Sequence, residues 1–510
     1  MLKLLVYRGH IRNHKELCSV LGIENSLSRR AREEQIILKA FEKWGAEMAN
    51  HIYGMFAFVI EKADGSLFLC RDQFGTIPLY YYETEEGLLA ATSIRELMEC
   101  DGFNKSLNQK MLQIYLTMTY TTGEETFFEG VMKLLPGRYM TYRNGKKEIT
   151  RYYRPQFSPD ESRSLDEWAD EIHETLKTVM QEVKEDGEYV ESFLSGGVDS
   201  SYVLAVSDAA AANSCGYDDS RLDESGLAKN TADILGREFN RCVITPKDYF
   251  EAIPYVMYNM EQPLGDASAV AFALGCKATA AHTDICYSGE GADEFFGGYN
   301  MYRNAERYGE NLKTFYVGNT NIMKEEEKRR ILKKYYDNFE PIDLVRDIYS
   351  ENEGLDPLSK MTDIDIQVWL EGDIYLNVDK MSRAAGLEVR MPLTDLRIFD
   401  IAARIPSRFK VNEEQNKIAL RTAAAKVLPE DIAFRKKLGF VVPIRMWMAD
   451  ERYNADVKEK FKSSYAAEFF NLDEINAIFE EYIGGNSDNW RKVYVIYAFL
   501  VWYEEYFIKR

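Results

Sequence analysis

One stretch of the chain constrains its fold more than any other. Residues 189–194 (Tyr-Val-Glu-Ser-Phe-Leu) predict a buried β-strand, and the apolar residues 202–206 (Tyr-Val-Leu-Ala-Val) predict a buried helix. Between them lies the turn sequence Ser-Gly-Gly-Val-Asp-Ser-Ser, at 195–201. Two glycines let the backbone approach a ligand closely, and a helix N-terminus presents free N–H groups that favour anions. The stretch therefore predicts a strand, an anion-binding turn and a helix.

The turn lacks the Gly-Lys-Ser/Thr ending of a Walker A loop. Its Ser-Gly-Gly-x-Asp-Ser pattern resembles the pyrophosphate loop of the N-type ATP pyrophosphatases, which cleave ATP between the α and β phosphates. The resemblance implies that Asp199 helps to hold Mg²⁺ through its carboxylate. The implied ATP and pyrophosphate contacts are Leu194, Ser195, Gly196, Gly197, Asp199 and Ser200. For Ser-Gly-Gly alone, a turn without a ligand is an equally good interpretation, but the full string after a buried strand favours the ATP site.

Length and composition bound the class of protein. At 510 residues the chain is too long for one ordinary hydrophobic core, and 46% apolar residues are enough for packed domains. A formal net charge of −20 argues against nucleic acid as a partner. The seven cysteines form no Cys-x-x-Cys pair, and the sequence shows neither a membrane-spanning apolar run nor a signal peptide. We expect a cytoplasmic protein of two or more domains without a membrane partner.

A second glycine-rich loop follows the predicted strand 284–287. It reads Ser-Gly-Glu-Gly-Ala-Asp-Glu-Phe-Phe-Gly-Gly-Tyr over residues 288–299. Clustered carboxylates repel one another unless a cation shares the site, so an acidic surface loop without a ligand is the weaker interpretation. Together with the upstream turn, this string resembles the asparagine synthetase family. In that family the first glutamate is catalytic and the aspartate serves magnesium pyrophosphate, roles that fall here on Glu290 and Asp293.

The resemblance extends over nearly the whole chain. It implies ATP or pyrophosphate contacts for Ser288 and Gly289 and a substrate contact for Gly291. Further matches are Asp373, 379–382, 386–395, 417–421 and 438–447. Taken alone, Lys417 would be read as a surface lysine. Its place in a matching Lys-x-x-Leu-Arg helix implies instead that it stabilises the transition state of the reaction.

The order of predicted elements indicates an α/β fold. Residues 187–300 alternate strands and helices, which is typical of a parallel sheet with ligand loops at the strand ends. Residues 164–183 predict a helix that leads into this sheet, and the chain beyond residue 300 is predicted to be mainly helical. The resemblance implies an N-terminal α+β sandwich remnant of the Ntn-hydrolase kind. A doubly wound parallel-sheet ATP pyrophosphatase domain with a helical C-terminal part follows, and the predicted domains are 1–155 and 160–510.

The first 150 residues are predicted to contain mostly strands and turns, with one or two helices. We predict strands at 2–6, 54–60 and 66–70, a hairpin turn at Asp64-Gly65 and a helix at 33–41.

This region resembles the glutaminase domain of asparagine synthetases. The matching segments are Asn13-His14, 54–58, 71–75 and 78–80. The family's domain opens with a cysteine that becomes the N-terminal residue and hydrolyses glutamine, whereas Leu2 follows Met1 here. The family's Asn-Gly-Glu, which helps to hold glutamine, reads Arg8-Gly9-His10. We interpret the region as a truncated, cysteine-less glutaminase-like domain, the alternative being a truncated gene or a wrongly chosen start.

The implied activity is that of an ATP-dependent carbon–nitrogen ligase. A carboxylate would attack the α-phosphorus of ATP, pyrophosphate would leave, and ammonia or an amine would displace AMP to form an amide. The aspartate β-carboxylate is the favoured acceptor. Residues 263–269 match a bacterial pattern that assigns substrate contacts to Asp266 and Ser268, but relatives that amidate other carboxylates share it. A β-lactam synthetase-like ligase and a catalytically decayed binding protein are the alternatives, and the family is compatible with a homodimer.

Overall fold

The N-terminal region contains two antiparallel sheets. The computed structural model describes residues 2–24, 26–185, 187–219, 223–436 and 442–510. The strands of this region are β1 (Lys3–Ile11), β2 (Gly54–Glu61), β3 (Leu67–Arg71), β4 (Tyr80–Thr84), β5 (Gly87–Ala91), β6 (Met132–Lys133), β7 (Arg138–Arg143) and β8 (Lys146–Arg151). One sheet has the strand order β1-β2-β3-β7-β8 and the other β5-β4-β6. The predicted strands are confirmed: 54–60 lies within β2, and 2–6 and 66–70 overlap β1 and β3 in all but their first residue.

The N-terminal region holds more helices than predicted. Its described residues form α1 (His14–Leu21), α2 (Arg29–Trp44), α3 (Ile94–Met98) and α4 (Met111–Met118). The predicted helix 33–41 lies within α2, but the expectation of one or two helices was wrong. The helix α3 is a single short turn, and every residue of α4 is buried, so neither shows the one-sided apolar pattern by which a helix is recognised.

Alternating side chains of β2 face two hydrophobic cores. Phe56, Phe58 and Ile60 are buried in a core that also contains residues of α1 and α2. Ala57 and Val59 point to the opposite face and belong to a larger core that reaches the C-terminal helices. The sheet is therefore covered on both faces, as the predicted α+β sandwich requires.

The second half of the fold is organised by a parallel sheet. Its strands are β9 (Glu191–Phe193), β10 (Ala211–Tyr217), β11 (Glu238–Ile244), β12 (Ile285–Tyr287) and β13 (Glu388–Arg390), in the spatial order β11-β10-β9-β12-β13. From β9 the chain builds the sheet first towards β11 and later towards β13. The strand order therefore reverses beside β9, and ligands of such sheets bind at the carboxyl ends of the strands at this point. The doubly wound α/β prediction is confirmed.

Helices cover this sheet and make up the C-terminal part. They are α5 (Leu165–Glu182), α6 (Val198–Val206), α7 (Ser225–Ile234), α8 (Pro246–Met260), α9 (Ser268–Thr279), α10 (Ala292–Phe296), α11 (Ala305–Tyr308), α12 (Glu325–Ile331), α13 (Pro341–Glu351), α14 (Pro357–Ile364), α15 (Tyr375–Ala385), α16 (Leu396–Arg404), α17 (Ile418–Ala424), α18 (Glu430–Ala433), α19 (Ile444–Trp447), α20 (Ala455–Phe461), α21 (Ala466–Phe469), α22 (Leu472–Ile483) and α23 (Trp490–Tyr503). Among the described residues, no helix is long and apolar enough to cross a membrane.

A buried charge cluster joins both N-terminal sheets to the C-terminal part. Glu371 lies in a π-helical segment, Asp365–Ile374, which connects α14 to α15. Its carboxylate accepts from Arg71 Nη1 at 2.8 Å and from Lys133 Nζ at 2.6 Å. All three side chains are buried, so each charge depends on the others for compensation. The cluster fixes the π-helical segment against the N-terminal region.

Candidate active site

A cavity of about 290 Å³ lies at the carboxyl ends of β9 and β12, where the strand order reverses. The sequence-predicted residues in its lining are Leu194, Ser195, Gly196, Gly197, Asp199, Ser200, Ser268, Ser288, Gly289, Glu290, Asp293 and Lys417. Asp266 and Gly291, which were also predicted, lie outside the lining. The fold thus brings residues separated by more than 200 positions to one cavity.

The turn after β9 is closed by its own serines. Ser200 Oγ accepts from the backbone N–H of Ser195 at 3.1 Å, and Ser195 Oγ accepts from that of Gly197 at 3.3 Å. Gly196 has φ +80°, which is strained for a residue with a side chain. The helix α6 begins at Val198, directly after the turn, so its N-terminal N–H groups face the cavity end of the strand. This is the geometry expected of an anion-binding turn.

The second loop needs glycine at two points of close contact. A Cβ on Gly289 would lie 2.9 Å from the backbone nitrogen of Ser200, so the two loops touch through this glycine. A Cβ on Gly298 would overlap both Asp293 and Lys417. The glycines of the loop therefore allow the two strand ends and the lysine to meet in one place.

Lys417 joins the two loops electrostatically. Its Nζ lies 2.5 Å from Asp199 Oδ2 and 2.8 Å from Asp293 Oδ1, and its side chain is 1% exposed. Burial alone would lower the pKa of this lysine, but the two carboxylates outweigh burial and raise its pKa above the ordinary value. Lys417 also has φ +55° as it caps the start of α17. The ammonium group of Lys417 therefore supplies positive charge to the clustered carboxylates of the acidic loop.

The donor set fits a divalent cation. Asp199 Oδ1 is buried and has no hydrogen-bond partner among the described residues, which leaves one carboxylate oxygen available for a ligand. Asp293 lines the same cavity. Carboxylate oxygens are what Mg²⁺ prefers, and it is commonly bound through one or two carboxylates together with substrate phosphates.

Comparison with known proteins places this geometry in a family. The profile of the asparagine synthase family matches residues 171–504. This chain belongs to the asparagine synthase family. It is therefore an ATP-dependent ligase of the amide-forming kind. The profile of a glutamine amidotransferase domain matches residues 2–153, which is the region of the two antiparallel sheets.

Individual relatives agree with the family assignment. Glutamine-hydrolysing asparagine synthetase 1 of Bacillus subtilis is 30% identical, with 98% of this chain and 85% of that protein covered. A putative glutamine-hydrolysing asparagine synthetase of Mycobacterium tuberculosis is 27% identical, with 98% and 84% covered. A solved glutamine-dependent NAD⁺ synthetase from Acinetobacter baumannii in complex with ADP matches at 14% identity, covering 53% of this chain and 65% of that one. Its TM-score of 0.19 is too low to support a structural argument.

Within this family's cavity, Glu290 stands next to other acids. Ser288 Oγ donates to Glu290 Oε1 at 3.3 Å, which orients the carboxylate. Asp373, on the π-helical segment, is fully buried, and both of its oxygens lack a hydrogen-bond partner within the described ranges. Burial, followed by the charges of Asp266, Glu294 and Glu290, raises the pKa of Asp373 well above its ordinary value. The arrangement is one in which a further negative charge is costly and a positively charged ligand is favoured.

The predicted substrate contacts differ in position. Asp266 accepts from the backbone N–H of Ser268 at 2.9 Å and from its Oγ at 2.5 Å, and so fixes the start of α9. Burial raises the pKa of Asp266. Ser268 lines the cavity, whereas Gly291 turns the backbone at φ +86° and packs against Thr394. Of the three, Ser268 is in a position to touch a ligand.

The sequence did not reveal several residues of the cavity. They are Asn213, Cys215, Tyr217, Phe272, Asn377 and Arg435. Arg435 Nη1 donates to the carbonyl of Gly196 at 2.8 Å and so braces the first turn. None of these residues was assigned to the site from the sequence, and only the fold brings them to the cavity. The matching segment predicted at 438–440 lies outside the described residues.

Proposed function

We propose that this chain makes asparagine from aspartate, ATP and ammonia. The β-carboxylate attacks the α-phosphorus of ATP, the bond to the bridging oxygen breaks, and pyrophosphate leaves. The nitrogen lone pair of ammonia then attacks the activated carbonyl, and AMP leaves as the amide forms. The products are asparagine, AMP and pyrophosphate.

The observation that supports this chemistry most directly is the contact of Lys417 with Asp199 and Asp293. A buried ammonium group held at the junction of the two loops is placed where the phosphates would lie. A charge that is fixed in advance stabilises charge that develops in the transition state without further reorganisation. We assign Lys417 to this role.

The remaining predicted residues receive the following roles in the proposal. Glu290 takes a proton from the attacking nitrogen or orients it, as a general base in the same cavity. The turn over 195–201, with Ser288 and Gly289, binds the phosphates of ATP through N–H and hydroxyl donors. Asp266 positions Ser268, and Ser268 and the Gly291 turn shape the aspartate subsite.

Asp199 and Asp293 would hold Mg²⁺, for which Asp199 Oδ1 is available. When bound, the metal would neutralise the charge of the triphosphate and help to position it. Lys417 contacts the same two carboxylates, so protein and metal charges balance one another in this corner of the cavity.

Residues of the N-terminal region support free ammonia as the nitrogen source. Arg8 Nε donates to Asp379 Oδ1 at 2.8 Å, and His10 Nδ1 lies 3.1 Å from Glu33 Oε1, so both are engaged in internal contacts. Burial raises the pKa of the Cys18 and Cys70 thiols, which opposes formation of a nucleophilic thiolate there. We further propose that residues 1–155 and 160–510 are the two domains, the first of them not hydrolysing glutamine.

The proposal is tested by product analysis. The purified chain is incubated with ATP, Mg²⁺, aspartate and ammonium, and AMP, pyrophosphate and asparagine should form in equal amounts. A parallel reaction with labelled glutamine in place of ammonium should give no glutamate. Formation of ADP and phosphate would contradict the adenylating mechanism. Glutamate released in step with amide synthesis would contradict the ammonia assignment alone.

A further inference from the structure

Two cysteines face each other beside the cavity. Cys215 on β10 and Cys242 on β11 are direct register partners in the parallel sheet. Neighbouring strands lie about 4.8 Å apart, and register partners on a parallel pair point to the same face. Disulfide-bonded cysteines commonly have Cα atoms about 4.4–6.8 Å apart, so the ladder spacing already suits a bond. Both thiols are free and half-buried.

The pair contains an activated thiol. The interaction between the two thiols lowers the pKa of Cys242 to about 7 and raises that of Cys215. The thiolate rather than the thiol is the nucleophile, and it is populated at neutral pH when the pKa is near 7. Cys215 Sγ also lies 3.7 Å from the carbonyl of Ala271, an acceptor for its hydrogen.

The pair connects the sheet edge to the ATP site. Cys215 lines the large cavity, and a separate cavity of about 60 Å³ is lined by both Cys215 and Cys242. β11 is the outer strand of the sheet, which gives Cys242 an approach from that side. Two residues before Cys215, Asn213 accepts a backbone hydrogen bond from Leu194 N at 2.8 Å. A displacement of β10 at Cys215 is therefore expected to shift the backbone of Leu194, which directly precedes the turn at 195–201.

We propose that Cys215 and Cys242 form a reversible disulfide under oxidising conditions, and that this bond weakens ATP binding in the cavity. The oxidant is a peroxide. The Cys242 thiolate attacks one peroxide oxygen, the O–O bond breaks, and a sulfenic acid and hydroxide result. Cys215 then attacks the sulfenic sulfur, the S–O bond breaks, and water leaves. Two thiols are oxidised to one disulfide while one hydrogen peroxide is reduced to two waters.

The direction of the effect follows from the packing. A covalent bond draws the Cys215 sulfur towards β11, away from the cavity that it lines. Gly275 packs against this sulfur so closely that a Cβ there would lie 2.7 Å from it, so displacement of the sulfur also changes its packing against α9. Conversely, a bound nucleotide covers Cys215 and should slow the second step. Oxidation and ATP binding are thus mutually opposed.

The bond itself is detected by peptide mapping. The full chain is treated with hydrogen peroxide, blocked with an alkylating agent and digested with trypsin. The expected product joins peptides 185–221 and 242–247, each of which contains a single cysteine. Prior addition of ATP and Mg²⁺ should reduce its yield. Absence of this linked peptide, or a bond from Cys215 to Cys276 in peptide 248–277 instead, would overturn the proposal.

The functional consequence is measured as ATP affinity before and after oxidation. The affinity should fall several-fold and recover on addition of a thiol reductant. Cys242→Ser should bind ATP normally and lose the sensitivity to peroxide, whereas Cys100→Ser, a change at an exposed cysteine, should keep it. A Cys242→Ser variant as sensitive as the unaltered chain would refute the role of the pair. These measurements need neither aspartate nor ammonia, so their outcome does not depend on whether the proposed reaction is correct.

Discussion

Asp199 and Asp293, which follow different strands of the parallel sheet, share the ammonium group of Lys417. The oxygen–nitrogen distances are 2.5 Å and 2.8 Å, and the lysine is buried. Two nearby carboxylates are thereby neutralised in part before any substrate is present. A ligand that binds between these carboxylates must therefore bring its own cations or accept the lysine.

Replacing Lys417 tests the assigned charge role. Lys417→Ala should reduce turnover far more than it weakens ATP binding, because a charge placed for the transition state acts mainly on the rate. Steady-state kinetics and direct binding of ATP separate the two effects. Lys426→Ala, which removes a partly exposed lysine paired with Asp170, is the matched control and should change neither. If turnover and ATP affinity fell by the same factor, Lys417 would contribute to binding of ATP in the ground state instead.

Replacing Asp199 tests the metal assignment. Asp199→Asn keeps the shape of the side chain but removes the charge of the free oxygen, so half-maximal activity should require more Mg²⁺. The measurement is activity against Mg²⁺ concentration at saturating ATP. An unchanged Mg²⁺ requirement would exclude Asp199 as a metal ligand.

Replacing Glu290 tests the proton-transfer step. Glu290→Gln should lower the rate of amide formation by roughly 10²–10⁴-fold if the carboxylate acts as general base. Glu251→Gln on the surface of α8 is the control. Product quantification with ammonium as the nitrogen donor is the readout, and near-full activity would remove Glu290 from the mechanism.

The buried charge cluster predicts a large stability effect. Glu371→Gln leaves Arg71 and Lys133 buried without their counter-charge, which should cost about 3–5 kcal/mol of unfolding free energy. Asp343→Asn, which breaks an exposed ion pair with Arg346, should cost less than about 1 kcal/mol. The free energy of unfolding of both variants is measured by denaturant titration. Similar small values would mean that water compensates the cluster.

Asp365 predicts a pH-dependent stability. Burial raises its pKa to about 7, although Tyr302 and Tyr316 each donate to its Oδ2 at 2.5 Å. Between the unfolded pKa of about 3.9 and the folded pKa, the folded state holds a proton that the unfolded state has lost, so stability falls as pH rises. The Asp365→Asn variant cannot bind this proton, so it does not lose stability in this way as the pH rises. Its stability relative to the unaltered chain should rise from pH 4 to pH 7 and then level off; a constant difference would contradict the shift.

The sequence predicted the loops better than the contacts between them. Each loop is a local string, so its strand, glycines and carboxylates could be recognised without the fold. The contact between Lys417 and Asp199 spans 218 positions and is visible in no local pattern. The family resemblance singled out Asp373, but the sequence could not show that both of its oxygens are buried without a hydrogen-bond partner among the described residues. The helix α4 was missed because it is buried on all sides, so no polar face marks it as a helix in the sequence.

The position of Glu371 links the N-terminal region to the active site. Glu371 and Asp373 are two residues apart in one π-helical segment. Arg71 and Lys133, one from each N-terminal sheet, therefore hold in place the backbone of an acid whose pKa is raised in part by the charge of Glu290. Substitution of Arg71 or Lys133, neither of which lines the cavity, is therefore expected to disturb amide synthesis. The N-terminal region thus contributes to the active site through its buried charges, separately from any reaction of its own.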